Sequence, residues 1–134
     1  MRVLGYSLKA MFTLLGLLLS IASTNAQEPQ GADIEFSTKL IDLGTLTTDD
    51  DPQVVRVAFR NTGDVPLVVT EVRTSCSCTT VRHERRSIAP GDSGTLTITM
   101  NPASAPQGSF YRVLQVYSTA ISGTQHITLQ AEIE

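Results

Sequence analysis

Tryptophan is absent from this 134-residue chain, and cysteine nearly so: Cys76 and Cys78, two residues apart, are the only two. Both facts exclude the antibody type of immunoglobulin domain, where cysteines far apart in sequence bridge two sheets beside a buried tryptophan. No segment of ten residues after the N-terminal region repeats apolar residues at i, i+3, i+4 and i+7, so amphipathic helices are not expected. No second apolar run approaches the roughly 20 residues a membrane span needs. Asp49, Asp50 and Asp51 are consecutive and lack the alternating ligands and distal glutamate of a calcium loop, which leaves a solvated turn. Basic residues are also in deficit, 10 against 13 acidic ones. That balance argues against nucleic acid or anionic lipid as the main partner.

The one long apolar run is at the N-terminus. Arg2 and Lys9 precede Ala10 to Ala22 (AMFTLLGLLLSIA), and the small residues Ser23 to Ala26 follow. That order of charge, apolar run and small-residue cut site is that of a secretory signal peptide. Residues 1–26 are expected to be cleaved, leaving Gln27 to Glu134 with a net charge of −5 from eight basic and thirteen acidic residues. No cysteine stands at the cut, which argues against a lipid-modified N-terminus. The mature protein is expected to be periplasmic or secreted, without membrane insertion. Residues 27–32 (QEPQGA) are expected to form a flexible tether, and residues 33–134 one domain, a size that can bury a core without metals or many disulfides.

That domain alternates greasy and wet side chains. Val55, Val57 and Phe59 face one way in Gln53 to Arg60, with Arg56 and Arg60 on the other side. Leu96, Ile98 and Met100 alternate with threonines, and Ile127, Leu129, Ala131 and Ile133 with His126, Thr128, Gln130 and Glu132. Period-two alternation marks strands buried on one face. Asp33 to Lys39 is a first strand, continued by Leu40 to Gly44 after a kink, with a bend at Gly44. Leu67 to Val72 is apolar on both sides of the pleat and reads as central. Ser109 to Tyr117 is a long strand with Leu114 and Val116 buried. Asn61 to Asp64, Pro90-Gly91 and Ser122-Gly123 are turns, and Asn101 to Gly108 is a loop. Val81 to Ser87 reads as a polar, basic turn. About seven short strands between such turns predict an all-β, immunoglobulin-like antiparallel β-sandwich.

Three blocks carry a family resemblance: Phe59-Arg-Asn-Thr-Gly-Asp-Val-Pro-Leu67, Val72-Arg-Thr-Ser-Cys-Ser-Cys-Thr79 and Ile88-Ala-Pro-Gly91. They resemble a bacterial immunoglobulin-like family of domains of unknown function. Its pattern is a strand ending in Asn-x-Gly, an apolar strand, Ser-Cys-Gly-Cys-Thr and a Pro-Gly turn. Gly108-Ser-Phe110 fits the same pattern, and Ser77 departs from it where glycine is usual. The resemblance implies a sandwich similar to the Hydin and major-sperm-protein types, and a place in the cell envelope. It implies no activity.

The Cys-Ser-Cys stretch offers several chemistries. If extended, it points both sulfurs to one face. Extended spacing separates the two Cα atoms by about 6.5 Å, near the upper limit for a disulfide, so a bridge would be strained and readily reduced. Two thiolates could instead hold copper(I) or zinc, with His83, His126 and Met100 as further ligands, although Met100 reads as core and His126 as surface. A reactive thiol would need His83 as base and Arg82, Arg85 and Arg86 as electrostatic support, yet no known Cys–His enzyme block is present. The arginines read first as a solvated loop, with an anionic ligand or partner as the alternative. The expectation is a non-enzymatic module with no required cofactor, binding an envelope protein through a strand edge or the Cys76 to Arg86 loop. The last strand is one expected edge. Thiol redox or soft-metal binding is the alternative.

Overall fold

A computed structural model describes residues 31–134. The expected signal peptide and residues 27–30 of the expected tether lie outside the described residues. Eight strands form: β1 (Ile34–Phe36), β2 (Leu40–Leu46), β3 (Gln53–Asn61), β4 (Val69–Arg73), β5 (Thr79–His83), β6 (Ser93–Met100), β7 (Gly108–Ser118) and β8 (Gln125–Ile133). They make two four-stranded sheets, ordered β1-β3-β6-β5 and β2-β8-β7-β4. A 3-10 turn, Pro102–Ser104, sits in the β6–β7 loop, started by Asn101, whose side chain accepts a hydrogen bond from Ala103 N–H.

The alternation seen in the sequence is what closes the sandwich. Val57, Phe59, Leu96, Ile98 and Met100 point inward from the first sheet, and Phe110, Leu114, Val116, Ile127, Leu129 and Ile133 from the second. All are at most 2% exposed. Each such side chain stabilises the fold by about 1.5–3 kcal/mol relative to exposure. Their partners on the outer faces are mostly threonine, arginine, glutamine and glutamate.

Five features differ from the sequence reading, each for a visible reason. The kink between the first two strands is a change of sheet. β1 pairs antiparallel with β3, whereas β2 crosses the sandwich and runs parallel to β8, so the sandwich is not wholly antiparallel. Leu67 to Val72 is not central. Leu67 only bridges Ile88, and β4 begins at Val69 as the edge of its sheet. The basic turn from Val81 begins as strand β5, in which Thr79 is buried and Val81 and His83 are half-buried. Its alternation was hidden because threonine and histidine occupy inward positions. The last strand, β8, lies between β2 and β7 and offers no edge. Gly31 and Ala32, assigned to the tether, belong to the fold: Ala32 is 2% exposed and its carbonyl accepts Ile121 N–H at 2.8 Å.

The bend at Gly44 is real. Its φ is +69°, the β2–β8 register shifts between Asp42 and Thr45, and Gly44 N–H donates to Asp42 Oδ1 at 2.8 Å. A glycine adopts that left-handed backbone without the cost a Cβ imposes.

Asn61 ends β3 and is fully buried. Its Oδ1 accepts from Gly63 N–H at 2.9 Å and Asp33 N–H at 3.3 Å, and its Nδ2 donates to Val65 O at 2.7 Å and Ile88 O at 2.9 Å. Its backbone N–H donates to Asp92 O, and its own carbonyl accepts from Gly91 N–H. One side chain thus joins β1, the turn after β3 and the Leu67–Ile88 bridge. Gly63 is required there, because a Cβ would stand 2.0 Å from Gly31 O. The Asn-x-Gly and Pro-Gly blocks of the sequence are two halves of this corner.

Candidate functional site

The link from β4 to β5 leaves the edge of one sheet and enters the edge of the other on the same side of the sandwich. It carries both cysteines. Rather than staying extended, it turns tightly: Thr74 Oγ1 accepts Cys76 N–H and donates to Cys76 O, both at 3.1 Å. Thr79 N–H then donates to Cys76 O at 3.2 Å. A threonine at the start of such a turn replaces the backbone partner that a strand would supply. The turn brings the Cα atoms of Cys76 and Cys78 to 5.2 Å and the two sulfurs are bonded. That spacing is shorter than the roughly 6.5 Å of an extended stretch and falls inside the usual disulfide range of about 4.4–6.8 Å.

The two sulfurs sit in different surroundings. Cys78 is 3% exposed and part of the core, whereas Cys76 is half-buried and packs on its rim. The shared face expected of an extended stretch therefore does not arise, because the stretch turns. Cys78 is held by its carbonyl, which accepts Asn101 N–H at 2.8 Å, and it leads directly into the β5–β6 ladder. Cys78 N–H is directed at Cys76 Sγ at 3.3 Å, and Thr79 Oγ1 lies 3.6 Å from Cys78 Sγ.

The residues expected to assist these sulfurs stand elsewhere. His83 ends β5, five residues and roughly 16 Å of extended chain beyond Cys78, with its Nδ1 3.2 Å from Glu84 O. Met100 is buried core, and His126 is exposed on the outer face of β8. Among the described residues no three of His, Cys, Asp and Glu converge as metal ligands would. Thiolate ligation would first require the disulfide to open.

The arginines divide into two kinds. Arg86 pairs with Glu84 and donates to Ser93 O at 3.1 Å, so it closes the turn after β5. Arg82 and Arg85 have no carboxylate partner among the described residues. Arg82 faces outward from β5, in register with Thr97, which pairs on its other side with Arg56. Arg85 and His83 line a shallow depression of about 420 Å³ with Val68, Val69 and Thr70, between the edges of the two sheets. Arg73, just before the cysteine turn, is engaged: it lies 4.9 Å over the Tyr117 ring, and the Glu71 carboxylate bonded to its Nε at 3.0 Å holds it more firmly protonated.

Sequence reasoning missed the open edge of β5 because it missed β5. Asn101 N–H bonds Cys78 O, so in the antiparallel ladder the backbone groups of Thr80 and Arg82 face β6 while those of Val81 and His83 face away. The Val81 and His83 groups have no backbone partner among the described residues. The other three edges are blunted. β1 has three residues, β2 carries the Gly44 bulge, and the β4 ladder slips between Val69 and Glu71.

Two sheets, a chain that changes sheet between β1 and β2 and no helix longer than one turn among the described residues define an immunoglobulin-like sandwich. The family model for proteins of unknown function DUF1573 matches residues 34–133, and the chain belongs to that family. Among solved structures it is similar to a protein of unknown function from Porphyromonas gingivalis W83 (TM-score 0.68, 26% identity, 77% of this chain and 47% of that one). The chain thus spans about half the length of that relative. It is also similar to PapD-like domain 7 of human CEP192 (TM-score 0.57, 13% identity, 87% of this chain and 95% of that one). The periplasmic chaperone SfaE shares the fold at 11% identity (TM-score 0.56, 75% of this chain and 58% of that one). No curated protein matches the sequence.

Proposed function

We propose that this protein is an exported, non-enzymatic binding module that captures an extended segment of another envelope protein along β5. The observation that carries the reading is the contrast among edges: β5 alone of the four is regular, more than three residues long and free of bulges among the described residues. An open edge of that kind is a template for an added strand, with main-chain bonds supplying affinity and side-chain pockets supplying choice.

The surroundings of β5 suggest the partner's chemistry. Val68 and Val81, both half-buried, offer apolar contact beside the edge, and Arg82 and Arg85 are cations without carboxylate partners among the described residues. A segment that alternates apolar and acidic residues suits both. The acidic balance of the chain as a whole makes this basic strip a local feature. The leader-like N-terminus and the chaperone named as periplasmic among the fold relatives support an exported setting.

The reading is tested with peptides of about nine residues and a single substitution. Val81→Pro removes the outward N–H and leaves the β6 side of the ladder intact, a place where an edge strand tolerates proline. Apolar–acidic peptides are expected to shift the Val81 and His83 amide resonances of the native protein, and V81P to bind them at least tenfold more weakly with an unchanged circular dichroism spectrum. Equal binding by V81P, or peptide shifts confined to other strands, would refute capture along β5.

A further inference from the structure

We propose that the Cys76–Cys78 pair is a thiol–disulfide exchange site entered at Cys76, with Cys78 as the buried sulfur that departs and returns. This inference stands apart from the β5 edge. It begins from how little the bond does for the fold. The ring it closes contains three residues, and both of its ends are held by other means: Thr74 and Thr79 bind the Cys76 backbone, and Asn101 binds that of Cys78. A crosslink that joins no two distant parts of the chain constrains the unfolded state very little.

The surroundings of the sulfurs give the pair a direction. Cys78 is closed in the core, so an outside thiolate can reach only Cys76. Attack on a disulfide sulfur proceeds through a mixed disulfide. The incoming thiolate forms a bond to Cys76 Sγ as the Cys76–Cys78 bond breaks, and the electron pair leaves on Cys78 Sγ. That sulfur lies beside the Thr79 hydroxyl, a hydrogen-bond donor, and takes a proton from solvent. A second thiol of the attacking dithiol then displaces Cys76 from the mixed disulfide. The partner dithiol has lost two electrons and become a disulfide, and this protein has gained them as two thiols. In the reverse direction the Cys76 sulfur, with Cys78 N–H directed at it from 3.3 Å in the closed form, attacks a partner disulfide, and Cys78 resolves the adduct. The substrate class is therefore a dithiol or disulfide, carried either by a protein or by a small molecule.

The test uses the native protein without substitution first. It is exposed to reduced glutathione and, separately, to a thioredoxin whose resolving cysteine has been replaced by serine, then quenched with acid and mapped by tandem mass spectrometry. The expected result is a mixed disulfide on Cys76 with at least one of the two, and at least a tenfold excess of Cys76 over Cys78 adducts. A glutathione adduct alone points to a small-molecule partner, and a preferential thioredoxin adduct to a protein partner. Cys78→Ala and Cys76→Ala, each checked by circular dichroism, give a second measure: the thiol left in C78A is expected to react with oxidised glutathione at least tenfold faster than that left in C76A. No adduct under native conditions, adducts on Cys78, or equal rates for the two variants would overturn the proposal.

Discussion

Two corners of this molecule carry conspicuous sequence blocks, and they are built in opposite ways. At the Asn61 corner no covalent bond is made, yet six hydrogen bonds converge on one buried residue and a neighbouring glycine leaves no room for a methyl group. At the Cys76 turn a covalent bond is present, yet it spans only the distance from one residue to the next but one. The first corner joins segments 28 and 27 residues away in sequence. The second joins the chain to itself. On span and burial, the first connection is expected to contribute more to stability than the second, which leaves the reactive residues of the second available for other work.

The sharpest way to break this contrast is Asn61→Ala. It leaves Asp33 N–H, Gly63 N–H, Val65 O and Ile88 O without the partner they share. Leaving a buried donor or acceptor unpaired costs about 1–3 kcal/mol each before relaxation. With water reaching some of the four, a loss of about 3–5 kcal/mol is expected, a large part of the total for a domain of this size. Urea unfolding followed by circular dichroism checks it. A loss below about 1 kcal/mol would mean that the corner is held by packing alone.

The disulfide should be the weaker half. For a three-residue ring the chain-entropy relation gives about 1.6 kcal/mol, against about 3 kcal/mol for fifteen residues. Reduction, which changes no other atom, is expected to lower unfolding stability by no more than that. The measurement is paired urea curves with and without a phosphine reductant at one pH. A larger drop would give Cys76–Cys78 the structural role that the comparison denies it, and would weaken the case for an exchange site.

Much of the sandwich was legible in the chain because inward and outward positions differ in chemistry: Leu96-Thr-Ile-Thr-Met100 and Ile127-Thr-Leu-Gln-Ala131 can be read directly as half-buried strands. β5 was not legible, because Thr79, Val81 and His83 are a weak apolar face beside two outward polar residues, and Arg82 with Arg85 and Arg86 just after the strand suggested a loop. The sheet order was not legible either, since alternation reports which face is buried and not which strand is adjacent. Hence β8 was expected at an edge and lies inside. At the candidate site the spacing showed that the two cysteines are neighbours, but it left a disulfide, a metal site and a reactive thiol all open. The turn that makes the pairing easy depends on Thr74 hydrogen bonds, which leave no periodic signal. The unequal burial of the two sulfurs accompanies a contact that spacing does not show either: Asn101, 23 residues further on, binds the backbone of Cys78, where the chain enters β5.

The smallest expected effect sharpens the account of the Asn61 corner from its rim. Asp33, whose N–H binds Asn61, accepts a hydrogen bond from Ser122 Oγ at 2.5 Å. That bond, the largest influence, and the Ile34 and Ser122 backbone N–H groups outweigh partial burial and hold the carboxyl below its ordinary value. A carboxylate with a depressed folded pKa stabilises the protein above its unfolded value, near 3.9, and loses that contribution as pH falls through the folded value. Ser122→Ala should therefore destabilise the protein slightly at pH 6, and the difference from the native chain should shrink as the pH is lowered from about 4 towards 2. Ser122 also accepts Gln125 Nε2 at 3.0 Å, a contact between uncharged groups. The two stability curves should then approach a small constant offset at low pH rather than coincide. Parallel curves across the whole range would locate the role of Ser122 in that second contact and leave Asp33 out of the corner's electrostatics.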